Sequence, residues 1–123
     1  MIRFAFTIAF AVIAGGADAQ SVKLGTSDMS ALLTGNTAVG LWDGVPYRQY
    51  FGPDGVTIFA PLDAKPDHGQ WRLQNDEFQS KWPDDEDWEG WYIMEYAGVW
   101  HWVSKSTPPT QFEMLEGNHL PSQ

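Results

Sequence analysis

From Thr37 onward, short apolar or aromatic runs recur about every ten residues, and Gly, Pro, Asn or Asp stands between one run and the next. That rhythm predicts an all-β antiparallel meander of about seven or eight short strands, forming a small barrel or a strongly curved sheet. Candidate strands fall at 36–42, 46–51, 56–61, 69–74, 78–82, 90–97, 99–105 and 110–116.

Three hairpins follow from turn chemistry. Gly52-Pro53-Asp54-Gly55 puts proline where a type I turn needs a fixed φ, and glycine where a left-handed residue must follow. A two-residue loop at Asn75-Asp76 sets Leu73 opposite Phe78, Trp71 opposite Ser80 and Gly69 opposite Trp82, with a wholly polar reverse face. A turn at Ala97-Gly98 puts Tyr92, Met94, Tyr96, Val99, His101 and Val103 on one face. Trp91, Ile93, Glu95, Trp100 and Trp102 share the other. Both faces of that third hairpin are aromatic, so the outer one is either covered by the N-terminal helix or the Pro108-Pro109 segment, or is a binding surface.

The first nineteen residues have another character. Arg3, an apolar stretch from Phe4 to Ala14 and the small residues Ala17-Asp18-Ala19 read as a secretory signal peptide of bacterial type, cleaved after Ala19. The apolar run is too short to span a bilayer. The expected product is residues 20–123, a single β-domain free in the periplasm or outside the cell, with no membrane insertion after cleavage. Within it, residues 20–35 are a helical lead-in capped by Ser27 and stopped at Gly35, residues 36–116 the sheet, and residues 117–123 a tail.

Charge and composition narrow the function. Seven Lys and Arg against 16 Asp and Glu give a net charge of −9, which repels nucleic acid. The absence of cysteine removes thiol nucleophiles, thiolate zinc sites and disulfides. His68, His101 and His119 have no ligand spacing, and His101 reads as a packed or hydrogen-bonded residue. No nucleophile elbow, zinc-protease helix or phosphate loop occurs, so no catalytic residue is assigned.

Two constellations carry chemistry. In the acidic run from Asp84 to Glu89, the residues Asp85, Asp87 and Glu89 have the alternate spacing of a calcium loop, with Gly90 at the bend. The match then breaks, because Tyr96 stands where a bidentate acid belongs. A solvated loop that keeps a sheet edge from pairing explains the same residues. The second is aromatic: all seven Trp, all four Tyr and four of the seven Phe lie between Trp42 and Phe112. Most supply core area in a small domain without disulfides. A surplus suits a ligand held in a barrel mouth.

The segments Leu33-Thr34-Gly35-Asn36-Thr37, Tyr50-Phe51-Gly52-Pro53-Asp54-Gly55, Gly69-Gln70-Trp71 and Lys81-Trp82 resemble a family of small secreted proteobacterial β-domains of unknown function. The resemblance implies a small β-domain and no particular activity. That family often carries a cysteine three residues before the second Trp, where Gln79 stands here. Gly69-Gln70-Trp71 also resembles the lipocalin G-x-W, although lipocalins place it on their first strand.

The expected role is therefore non-enzymatic binding of a small ligand by Trp91, Ile93, Glu95, Trp100 and Trp102, with Trp100→Ala abolishing it. The alternatives are an interaction or inhibitor module that offers the acidic run to a basic envelope protein, and a carboxylate-based hydrolase acting through Glu95.

Overall fold

The structure, a computed structural model, describes residues 21–121. The expected signal peptide and the expected cleavage after Ala19 lie outside the described residues. The elements in chain order are β1 (Ser21–Lys23), α1 (Thr26–Leu33), β2 (Thr37–Trp42), β3 (Val45–Phe51), β4 (Val56–Pro61), β5 (Asp67–Gln74), β6 (Glu77–Lys81), β7 (Glu89–Tyr96), β8 (Val99–Val103) and β9 (Thr110–Leu115).

From β2 to β9 each strand pairs antiparallel with the next, and β9 returns to pair with β2, Phe112 opposite Gly40 and Leu115 opposite Thr37. The result is a closed eight-stranded up-and-down barrel. Closure satisfies the hydrogen bonds that an open sheet would leave bare along its edges. β1 is the one strand outside this circuit. It occupies the end of β7 that runs past β6, with Ser21 opposite Tyr96 and Lys23 opposite Met94.

Turn chemistry sets the register as the sequence predicts. Gly55 has φ 89°, and Gly52 N–H donates to the carbonyl of Val56 at 2.8 Å. Asn75 and Asp76 both have positive φ, and the pairs Leu73–Phe78 and Trp71–Ser80 form. Ala97 and Gly98 do the same for β7 and β8. A third two-residue turn, Asp43-Gly44, joins β2 to β3; Asp-Gly is a strong signal for it, and the sequence reading passed over it.

The lead-in contains a short helix that ends before Gly35, as expected, but its first residues, Ser21–Lys23, form strand β1 instead of helix, and Ser27 does not cap the helix. The helix starts two residues earlier than a Ser27 cap implies, at Thr26 with Gly25 in the cap position, so Ser27 lies inside the first turn. The capping acceptor comes from far along the chain: Asp76 Oδ1 takes hydrogen bonds from Thr26 N–H and Oγ1–H, each at 2.9 Å.

Met29 and Leu33, one helical turn apart, are fully buried and close one end of the barrel. Above them the interior is filled by an aromatic layer. Phe51 meets Trp71 and Phe78 edge-on at 5.7 and 5.6 Å, and Trp102 stacks on Phe112 at 4.5 Å. Trp71 is fixed by its indole N–H, which donates to the carbonyl of Gly52 at 2.9 Å. Among the described residues no helix is long and apolar enough to cross a membrane.

The third hairpin's two aromatic faces are now accounted for. Trp91, Ile93, Glu95, Trp100 and Trp102 are on the inner face, which a closed barrel buries along most of its height. The other face is outside. There the Lys23 ammonium sits 4.2 Å from the Tyr92 ring centre, and neither α1 nor the prolines seal the surface, since Tyr96 is half exposed.

Candidate functional site

The end of the barrel opposite α1 is open. It contains a cavity of about 270 Å³ lined by Trp42, Tyr47, Phe59, Trp82, Trp91 and Trp102, with Phe78 also in the lining. Such a volume holds roughly nine waters at about 30 Å³ each, which suits a small molecule or the head of a larger one. Each wall residue gets there by strand alternation: Tyr47 on β3 is the register partner of Pro61, and Trp91 on β7 that of Phe78.

The rings meet at steep angles. Trp42 and Trp91 come together across the mouth at 6.0 Å and 73°, and Phe59 and Trp82 at 6.4 Å and 72°; Tyr47 and Phe59 stack at 5.0 Å. Trp82 reaches its place because Gly69 has no side chain. A Cβ on Gly69 would lie 2.5 Å from Trp82 Cε3.

Four polar side chains complete the lining. Gln49 and Ser80 are buried, whereas Asp67 and Glu89 are exposed. Gln49 Nε2 donates to Thr57 Oγ1 at 3.0 Å, which leaves its Oε1 as an acceptor. No lysine, arginine or histidine is in the lining. Burial raises the pKa of the Tyr47 hydroxyl, and a hydrogen bond with the Trp102 side chain opposes the rise. Tyr47 is thus a neutral wall at ordinary pH.

Of the five residues expected to bind a ligand, the structure brings Trp91 and Trp102 to the cavity. Ile93 is fully buried in the core, and Trp100 packs against that core without lining the cavity. Glu95, opposite Trp100 and beside Val22 of β1, is outside the lining as well. The sequence reading left Trp42, Tyr47, Gln49, Phe59, Asp67 and Trp82 out of the ligand site. A signal was available for Asp67, two positions before Gly69 on the face recognised for the Asn75-Asp76 hairpin, and from Asp67 the ladder leads to Phe59 opposite it and then to Gln49.

The acidic residues are spread out. Asp85 closes its own turn by accepting from Trp82 N–H at 3.0 Å, Asp87 is exposed, and Glu89 belongs to the cavity. Among the described residues no three His, Asp or Glu side chains converge to hold a metal ion. Trp88 ends the run on the outer wall, with the Arg72 guanidinium 4.1 Å from its ring centre. His101 Nδ1 lies 3.0 Å from the carbonyl of Val99, in keeping with a hydrogen-bonded role. A second, outer-face groove of about 610 Å³ runs past Pro46, Leu62 and Pro121. Its one charged lining residue, Arg48, donates to the carbonyl of His119 at 2.6 Å.

No protein family, curated protein or solved structure matches this chain.

Proposed function

We propose that this protein is a secreted or periplasmic, non-enzymatic binding domain that takes a small ligand into the open mouth of its barrel. The observation that carries the reading is the aromatic cavity at the one end that α1 leaves open. Small barrels commonly place ligands there, because strand tilt widens the mouth while side chains fill the rest. Export rests on the sequence of residues 1–19, and an intact mass beginning at Gln20 in the secreted or periplasmic fraction is the check on it.

Native mass spectrometry of protein purified gently from that fraction tests the binding reading. A discrete added mass is expected, lost in Trp42→Ala and kept in Trp100→Ala. Trp42 lines the mouth without joining the core cluster, so its loss should leave in place the strand content read by far-ultraviolet circular dichroism. A bare mass throughout, with no ligand-induced change in tryptophan fluorescence, would sink the reading and favour a protein partner lost on purification.

A further inference from the structure

Resting on that reading, we propose that the cavity selects a small organic cation, an alkylated ammonium group enclosed by the Trp42, Trp82, Trp91, Tyr47 and Phe59 rings with Asp67 and Glu89 at the rim. The face of an aromatic ring is negative, and a cation held within about 6 Å of several faces gains at each of them. Rings set near 73° and 72° to one another present a face on one wall and an edge on the next, so they form the corners of a box instead of a flat stacking platform.

The polar groups point the same way. Asp67 and Glu89 can only accept hydrogen bonds when ionised, and Gln49 gives one of its two amide N–H groups to Thr57. An anion would find no cationic side chain in the lining, whose donors for a polyol are neutral ones, among them the Tyr47 and Ser80 hydroxyls and the second N–H of Gln49. A cation needs neither.

The field around the mouth is also negative. Asp43, Asp63, Asp67, Glu89 and the exposed run Asp84, Asp85, Glu86 and Asp87 belong to the open-end turns and strand ends, against Lys65, Lys81 and Lys105. The Asp85 turn and the Trp88–Arg72 contact hold that run beside the opening. A cleft lined by one sign of charge concentrates and steers the opposite ion, and salt weakens the effect.

The test is tryptophan fluorescence titration of the mature protein with tetramethylammonium, choline and benzyltrimethylammonium, each beside an uncharged analogue of the same shape, such as 3,3-dimethylbutanol for choline. Glucose serves as a neutral saccharide. At least one cation is expected to bind tenfold or more tightly than its neutral analogue, with affinity falling as salt is raised. The double variant Asp67→Asn, Glu89→Gln should lose about fivefold or more and much of the salt dependence, while Trp42→Ala removes the signal. Equal binding of cation and analogue, or binding of glucose alone, would overturn cation selection and leave the binding reading standing. Silence from every probe, with an added mass still seen on the native protein, would overturn cation selection alone; silence with a bare mass would end both.

Discussion

Asp76 in the β5–β6 turn and Thr26 at the start of α1 are 50 residues apart in sequence, and one carboxylate oxygen of the first accepts two hydrogen bonds from the second. The turn that fixes the register of a hairpin therefore also anchors the helix that closes the barrel. Donation from the Thr26 backbone, then from its hydroxyl, holds the Asp76 carboxyl below its ordinary pKa of 3.8.

A depressed carboxylate pKa stabilises the fold above its unfolded value, and that stabilisation is lost as pH falls through the folded value. Urea midpoints should therefore be lower for Asp76→Asn, which tolerates the positive φ at this position, than for the parent at pH 7. The gap should close as pH drops below 3.8, where the parent's carboxyl also takes up its proton. A gap that persists undiminished in acid would mean that the latch does not depend on charge.

Met29 is fully buried at the barrel's closed end. Met29→Ala removes most of a side chain from a packed interior and should cost about 2–5 kcal/mol in denaturant unfolding. Full stability in that variant would show α1 to be resting on the barrel instead of filling it.

Gly69 is an inner-face position that only glycine can fill while Trp82 stays in place. Gly69→Ala should cost about 1–3 kcal/mol by overpacking and shift tryptophan emission as Trp82 is displaced. It should also weaken ligand binding at the mouth. An unaltered emission spectrum would count against the close approach.

Tyr47 is the alkaline counterpart of Asp76. Its pKa is raised above 10.0 by burial, so its contribution is intact below pH 10.0 and is lost as pH rises through the higher folded value. In Tyr47→Phe, the latest part of the phenolate absorbance titration should disappear, and unfolding at high pH should be less steep. An unchanged titration curve would show the hydroxyl to be in contact with water.

The eight barrel strands were legible because one face of each had to be apolar and the turns used residues suited to positive φ, as at Asn75-Asp76 and Gly55. β1 was not, since Ser21, Val22 and Lys23 are all exposed and carry no alternation. Closure explains the rest of the difference. Trp91 and Ile93 share a face in sequence, but only the barrel decides that the first reaches the mouth and the second the core. In the same way, no local pattern distinguishes Trp82, which lines the cavity, from Trp88, which leans outward onto Arg72.

The return of β9 to β2 bears on how copies of this chain meet one another. A ladder without ends offers no template for strand addition, and among the described residues only β1 keeps a wholly unpaired edge. Among the described residues that edge is three residues long, and the lysine at its end works against recruiting a neighbour. Closure thus takes away the ladder edges that a chain this rich in β-structure would otherwise offer to cross-chain sheets, and it does so even where charge repulsion between copies is screened by salt.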